Sequence, residues 1–180
     1  MPATPDDLFA FLDKLGIAHP TITHPPVFTV EEAKRLRGAI TGGHTKNLFL
    51  KDKRAAVFLV TALEHAPIDL KTLHHRLGAA RFSFGSADLL RELLGVEPGA
   101  VTPFGVLNDT GRRVSVVLDA AMMAEPILNY HPLVNTMTTS LASPDLVKFL
   151  EATGHPPRIV AMTQASGRSR RHPGEVCIDD

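Results

Sequence analysis

Apolar residues recur along this chain at two spacings, one typical of amphipathic helices and the other typical of strands. A stripe at helical spacing runs from Leu8 to Leu15, follows the capping sequence Thr4-Pro5 and ends at Gly16, so it predicts a first helix. The same spacing predicts further helices over 30–37, 69–77, 86–94 and 143–152. Alternating or short continuous apolar runs predict strands over 20–24, 47–51, 55–62, 105–107, 114–118, 127–130, 134–138 and 158–160.

The order of these elements favours one fold class. Helices and strands are interleaved without the regular alternation of a doubly wound fold, and several strands are near neighbours in sequence. We therefore predict an α+β fold with a mixed, largely antiparallel and partly barrel-like sheet packed by several helices. The chain has no internal repeat and no interior linker, so we expect one domain over residues 1–163 and a polar C-terminal tail over 164–180.

Composition and charge narrow the classes of function. The 180 residues are 44% hydrophobic, and 19 basic side chains balance 19 acidic ones, so contact with nucleic acid would need a local basic patch. Basic residues do cluster on both sides of a glycine pair, at 34–37 and at 46–54. A single cysteine, Cys177, excludes a disulfide framework. Without a leader peptide, a membrane-spanning apolar run or a coiled-coil pattern, we expect a cytoplasmic monomer with no membrane contact.

Residues 42–47, GGHTKN, combine two glycines with hydrogen-bond donors at the start of an apolar run. Gly42 and Gly43 allow a tight turn and a close approach of the backbone to a ligand. Thr45, Lys46 and Asn47 have side chains that can donate hydrogen bonds to an anion. A solvated turn would carry the same residues. A nucleotide-binding P-loop is excluded, because a histidine stands where that motif needs its lysine and a predicted helix precedes the loop where a strand is required.

Nine histidines raise the question of a metal site. Five of them stand directly before proline, where extended backbone is favoured, and are therefore typical of turns and strand ends: His19, His24, His131, His155 and His172. The sequence contains no His-Glu-x-x-His motif and no Gly-x-Ser-x-Gly nucleophile elbow. We expect no metal and no cofactor.

Four segments together resemble one protein family, in the family's order: 24–33, 42–54, 85–109 and 131–160. They are similar to the editing domains of prolyl-tRNA synthetases, a family that includes free-standing aminoacyl-tRNA deacylases. The resemblance implies a hydrolase of translation fidelity that removes alanine from mischarged proline tRNA. Its implied partners are the acceptor end of aminoacylated tRNA and prolyl-tRNA synthetase. An aminoacyl ester is already activated, so such an enzyme needs a placed water and a stabilised oxyanion rather than a strong protein nucleophile.

The resemblance also implies roles for residues that match the family's motifs. Lys46 would bind the phosphate at the 3′ end of the tRNA, with Asn47 beside it, and His131 would help hold the amino acid or the terminal ribose. The family's Gly-x-x-x-Pro loop, whose backbone lies against the ester, is matched by Gly99, Ala100, Val101, Thr102 and Pro103. The remaining residues of the implied substrate-binding set are Gly42, Gly43 and Thr45.

Such an enzyme needs a small apolar pocket that admits alanine and excludes the pyrrolidine ring of proline. We expect the walls of this pocket near the Gly99 loop and in the strand before His131, with Ile127 as one candidate. Two other functions stay open. One is a non-catalytic module that binds tRNA ends or a protein through the same fold, and the other is a metal-dependent hydrolase that uses the histidines.

Overall fold

A computed structural model describes residues 1–26 and 30–162 of the chain. The helices are α1 Pro5–Lys14, α2 Val30–Ala39, α3 Leu70–Leu77, α4 Ala87–Leu94, α5 Ala120–Met123 and α6 Ser143–Ala152, and a 3₁₀ helix covers Pro103–Asn108. The strands are β1 Thr21–Thr23, β2 Gly43–Asp52, β3 Val57–Leu63, β4 Phe82–Phe84, β5 Val114–Asp119, β6 Ile127–Tyr130, β7 Met137–Ala142 and β8 Arg158–Val160. The predicted tail over 164–180, with Cys177, lies outside the described residues. Within them, no helix has the length and apolarity that crossing a membrane requires.

The strands form one mixed sheet in the order β1-β7-β6-β2-β3-β5-β8, with β4 paired to β2 outside this path. The antiparallel pairs are β1–β7, β6–β7, β2–β3 and β2–β4. The parallel pairs are β2–β6, β3–β5 and β5–β8. Over the described residues the sheet stays open between its end strands β1 and β8. The predicted α+β fold with a mixed, largely antiparallel sheet is thus confirmed.

The ten-residue strand β2 joins the two halves of this sheet. One edge of β2 pairs with β3 from Thr45 to Lys51. The other edge pairs with β6 at Gly43 and His44, and with β4 only from Leu50 onward. Among the described strands, none pairs with residues 45–48 on that second edge. We call these four residues the open stretch of β2.

Two hydrophobic cores lie on opposite faces of the sheet. The larger core packs α1, α4, α6 and the 3₁₀ helix against the face that carries Phe49 and Leu59. The smaller core packs α3 against the face that carries Leu50. Because successive strand residues point to opposite faces, Asn47 lies on the face of the larger core and Lys46 on that of the smaller one.

Elements set by local signals match their predictions most closely. α6 and β8 have the predicted bounds, and α1 follows the predicted cap, with the Thr4 hydroxyl accepting from the Asp7 main-chain N–H at 3.2 Å. The predicted strand over 105–107 is wrong, because Thr102 and the proline after it start a 3₁₀ helix there. The predicted strand over 134–138 is displaced to β7, and β2 begins at Gly43 rather than at residue 47.

Candidate active site

The glycine pair forms the turn between α2 and β2. Gly42 has φ +104°, and a Cβ atom there would lie 2.8 Å from Cγ2 and 3.0 Å from the carbonyl oxygen of Ile127. Both the left-handed backbone and the close contact with β6 therefore require glycine. Gly43 is the first residue of β2 and lies beside Leu128 of β6. The predicted tight turn is present, and it packs directly on β6.

The side chain of Asn129 ties this turn to β6. Its Nδ2 donates to the carbonyl oxygens of Thr41, at 3.1 Å, and Gly43, at 3.3 Å. Its Oδ1 accepts from the Ser140 hydroxyl at 2.5 Å. Asn129 is only 4% exposed, so solvent cannot replace these hydrogen bonds readily. The residues leading into β2 are therefore fixed by one buried amide.

Lys46 lies within β2 and is partly buried, although the sequence pattern predicted that this strand begins only at residue 47. The two glycines form a turn that ends earlier than the sequence pattern indicates. The Lys46 ammonium donates to the carbonyl oxygen of Ala66, in the connection between β3 and α3. An ammonium carries three donors, and the described residues supply no second acceptor for this one. Lys46 thus keeps donors available for an anionic ligand.

His131 directly follows β6 and is fixed in one tautomer. Its Nδ1 lies 2.8 Å from the carbonyl oxygen of Met137, and a carbonyl can only accept, so Nδ1 carries the proton. Burial lowers the pKa of His131; the hydrogen bond to Met137 opposes this shift, and the neighbouring His24 reinforces it. The neutral ring is favoured, with Nε2 as an acceptor.

His24 and Thr138 complete a polar cluster around His131. The ring centres of His24 and His131 are 6.2 Å apart. His24 Nδ1 faces the Pro25 carbonyl at 2.9 Å and so carries the proton, which leaves Nε2 to accept from the Thr138 hydroxyl at 2.8 Å. The cluster joins β1, β6 and β7 at one point of the sheet.

The strand register brings Lys46 and His131 to the same part of the molecule. β2 and β6 run parallel, with His44 beside Asn129. Two residues further along this register are Lys46 on β2 and His131 after β6. Lys46 therefore lies in the open stretch of β2, and His131 follows the last residue of the neighbouring strand β6.

Thr45 and Asn47 face the other side of the sheet. The Thr45 hydroxyl donates to the Asn129 carbonyl oxygen at 2.7 Å. Asn47 lies opposite Thr61 on β3, and the Thr61 hydroxyl is 3.0 Å from the hydroxyl of Tyr130. Burial raises the pKa of Tyr130, so its hydroxyl stays protonated. The Oδ1 atom of Asn47 is buried and has no hydrogen-bond partner among the described residues, so Asn47 offers an unused acceptor. Because it faces the other side of the sheet, Asn47 does not lie beside the Lys46 ammonium.

The Gly99 loop approaches the segment that follows His131. Gly99 has φ +94° and is exposed, and a Cβ atom there would lie 3.8 Å from Nδ2 of Asn135. The ring of Phe104, just beyond the loop, packs on that of Tyr130 with centres 6.0 Å apart. Three members of the predicted loop are buried and can only support it: Ala100, Thr102 and Pro103. Gly99 and the half-buried Val101 remain as the members that can touch a ligand.

Sequence reasoning missed several residues that shape this site. Asn129, Ser140 and Thr138 gave no signal, because their partners depend on how β6 and β7 pair with distant strands. His24 lies within the first segment that resembles the family, so the resemblance could have identified it as a candidate site residue. As for the metal hypothesis, no three His, Cys, Asp or Glu side chains come together as ligands in residues 1–26 and 30–162.

Known proteins resemble this chain in sequence and in fold. A family model described as an aminoacyl-tRNA editing domain matches residues 24–149. Prolyl-tRNA synthetase associated domain-containing protein 1 of Danio rerio is 41% identical over 157 residues, covering 86% of this chain and 85% of that protein. The prolyl-tRNA editing protein ProX of Acetoanaerobium sticklandii is 39% identical over 149 residues, covering 82% and 91%. A crystal structure described as a proposed trans-editing enzyme for prolyl tRNA synthetase shares the fold, with a TM-score of 0.66, 18% identity and coverage of 92% of this chain and 100% of the other.

Proposed function

Because this chain belongs to the aminoacyl-tRNA editing domain family, we propose that it is a trans-acting hydrolase that removes alanine from mischarged proline tRNA. The observation that carries the proposal is the parallel pairing of β2 with β6 at Gly43 and His44, whose continuation would place Lys46 beside His131. A relative named as a prolyl-tRNA editing protein supports the class of substrate. We further propose a single editing domain over residues 1–163 that acts as a cytoplasmic monomer.

Lys46 would bind a phosphate of the tRNA acceptor end. Its ammonium is a compact positive charge, and within the described part of the chain only one of its donors has a partner, the Ala66 carbonyl. Holding the ammonium by a main-chain carbonyl restricts its position without neutralising its charge. A phosphate oxygen at the open stretch of β2 would then receive a charge-assisted hydrogen bond.

Hydrolysis requires water to add to the ester carbonyl and the bond to the ribose oxygen to break. The neutral His131 can accept a hydrogen bond at Nε2 from that water or from a ribose hydroxyl. The proton released by the water would finish on the departing ribose oxygen. Main-chain N–H groups at the exposed Gly99 turn would stabilise the oxyanion, and one preorganised donor contributes about 3 kcal/mol. Asn47 would supply its Oδ1, to which no described residue donates, as an acceptor for a donor group of the substrate.

Selectivity for alanine has a physical basis in the preceding synthetase reaction. A pocket shaped for proline cannot strongly reject a smaller side chain, because a missing methylene costs only about 1–3 kcal/mol. A second site must then destroy the product that carries the small side chain. This division of labour explains why a separate hydrolase would act beside prolyl-tRNA synthetase.

The proposal is tested by deacylation of one tRNA charged with different amino acids. We expect fast release of alanine and slow release of proline from the same proline tRNA, and a further panel with serine and cysteine would define the preferred side chain. Adding a chelator should leave the rate unchanged. A ratio of alanine to proline release near one, or no release from any charged tRNA, would rule the editing role out.

A further inference from the structure

Gly99 lies in a tight turn that runs from Glu97 to Ala100. Pro98 and Gly99 are its central residues, Gly99 has φ +94°, and the Ala100 N–H donates to the Glu97 carbonyl oxygen at 3.0 Å. Proline followed by a left-handed glycine at these two positions is typical of a type II turn. The Gly99 N–H makes no hydrogen bond with any residue that the structure describes, so it remains a donor for a ligand.

The ends of this turn are fixed more firmly than its tip. Val96, just before it, and Ala100, at its end, are buried in the larger core. Helix α4 ends one residue earlier, at Gly95, whose left-handed backbone donates its N–H to the Arg91 carbonyl oxygen. Residues 97–99 between these anchors are exposed. The position of the tip therefore depends on the contacts of its own side chains.

An ion pair connects the tip of the turn to α4. Nε of Arg91 lies 3.0 Å from Oε1 and 2.9 Å from Oε2 of Glu97, and Nη2 lies 2.9 Å from Oε2. Nη1 of the same guanidinium donates to Asp88 at 3.2 Å. The hydrogen bonds from Arg91 lower the pKa of Glu97, so its carboxylate stays ionised at neutral pH. Two donors on one carboxylate restrict its orientation as well as its distance.

Arg91 is a suitable anchor because α4 is packed firmly. The helix buries Leu90, Leu93 and Leu94 in the larger core, whereas the Arg91 side chain lies on its exposed face. Exposed ion pairs contribute little to global stability, and we expect no more here. The effect should instead be local, since within the described part of the chain no other side chain forms a hydrogen bond or ion pair with residues 97–99.

We propose that Arg91 is a positioning residue for deacylation, which keeps the Gly99 N–H directed at the ester by holding Glu97. The inference rests on the proposed function, in which N–H groups of this turn stabilise the oxyanion. The turn faces the segment after His131, because a Cβ atom at Gly99 would lie 3.8 Å from Nδ2 of Asn135. Displacing such a donor by about 1 Å can lower the rate on the order of 100-fold.

Reversing the charges of the pair tests its role in the full-length protein. Arg91→Glu places a carboxylate against Glu97 and should lower kcat for alanyl-tRNA at least about tenfold. Combining it with Glu97→Arg re-forms the pair and should restore kcat to within about threefold of wild type. Thermal melting should change little, since both positions are exposed. An unchanged kcat in Arg91→Glu, or no recovery in the double variant, would overturn the proposal.

Arg113→Glu is the matched control for these variants. Arg113 pairs with Glu92 of the same helix at 2.8 Å, and the two side chains are about as exposed as those of the proposed pair. The substitution changes the net charge by the same amount as Arg91→Glu, so any general weakening of tRNA binding should raise KM equally in both. The control should keep the kcat of wild type. An equal loss of kcat in both variants would refute the positioning role.

Hydrogen exchange of the free protein examines the turn without requiring turnover. The Ala100 N–H, which closes the turn, should exchange about two- to fivefold faster in Glu97→Ala, the range expected for the loss of an exposed ion pair. Glu92→Ala should leave this exchange unchanged. Equal exchange of the Ala100 N–H in wild type and Glu97→Ala would refute this inference alone. If the wild-type protein deacylates no charged tRNA, the proposed function fails, and the exchange rates still decide whether Arg91 holds the turn.

Discussion

At the scale of single residues, Lys46 gives the sharpest test of the site. We expect Lys46→Ala to reduce deacylation at least about 100-fold, because removal of one preorganised charged donor costs nearly 3 kcal/mol at the transition state. The lost hydrogen bond to Ala66 should lower stability by only about 1 kcal/mol. If Lys46 contacts one phosphate, the log–log salt slope of tRNA binding should fall by about one unit.

Lys51→Ala is the matched control, since Lys51 is an exposed lysine of the same strand. It should keep normal turnover. A folded Lys46→Ala protein with wild-type rates would remove the phosphate-binding role.

His131 predicts a pH dependence whose sign follows from its lowered pKa. Protonation is less favourable in the folded protein than in the unfolded chain, so its contribution to stability is complete above about pH 6.5 and is lost as the pH falls below that value. The rate of deacylation should stay constant above this range and decrease at lower pH, where the Nε2 acceptor is lost. In His131→Ala the acid limb of the rate profile should disappear. An unchanged profile in the variant would show that His131 does not take part.

Asn129 predicts a positioning effect rather than a chemical one. Asn129→Asp keeps the shape of the side chain and loses both N–H donors, which places a carboxylate against the carbonyls of Thr41 and Gly43. Leaving those buried groups unpaired should cost about 1–3 kcal/mol of stability. The displaced turn should raise KM for charged tRNA more than it lowers kcat.

A comparable amide away from the site provides the control for Asn129. Asn108 accepts from the Ala3 N–H and donates to the Leu94 carbonyl, so Asn108→Asp should also destabilise the fold. Its KM should not change. The same change of KM in both variants would assign the effect to general loss of stability.

At the scale of elements, the connection from α2 into β2 depends on a glycine. Gly42→Ala should cost about 1–3 kcal/mol, because its left-handed backbone and the contact with Ile127 both oppose a side chain. Gly38→Ala, within α2 and with no atom near its Cβ position, should instead stabilise by about 0.5–1 kcal/mol. Thermal melting of the two variants checks this contrast, and equal effects would contradict it.

Local signals explain which elements could be predicted from the sequence. The cap at Thr4, the Ser-Pro start of α6 and the apolar run of β5 act within a few residues, and these elements lie where predicted. The three-residue strand β4 and the four-residue helix α5 were missed. The 3₁₀ helix after Thr102 contains apolar residues that resemble a strand, and only its proline indicated otherwise.

The candidate site was predicted only in part, for a related reason. Motif resemblance selected Lys46, His131 and Gly99 as candidates. It could not supply their surroundings, because the parallel contact of β2 with β6 spans over 80 positions and has no local signature. The orientation of Asn47 away from Lys46 follows from strand alternation, once β2 is known to start at Gly43.

At the scale of the whole molecule, β2 joins the two halves of the sheet. Its contact with β6, which belongs to the half that also contains β1 and β7, is short and parallel. The junction is reinforced from the larger core by Phe104, packed on Tyr130, and by the hydroxyl contact of Tyr130 with Thr61. Each half therefore contributes part of the proposed site. Lys46 belongs to β2, whereas His131, His24 and Thr138 belong to the half formed by β1, β6 and β7.

The place of β1 in the sheet sets the order in which the chain can fold. Thr21 and Thr139 share a hydroxyl contact of 2.7 Å across β1 and β7, yet they are 118 positions apart in sequence. β2 and β3 are joined by a short turn, and closing a short loop costs less entropy than closing a long one. In pulse-labelled hydrogen exchange during refolding, the amides of β2 and β3 should gain protection before that of Ile22, and simultaneous protection would contradict this order. A nascent chain would then form the β2–β3 pair around Lys46 early and pair β1 with β7 later, so the proposed site would stay incomplete until β7 had been synthesised.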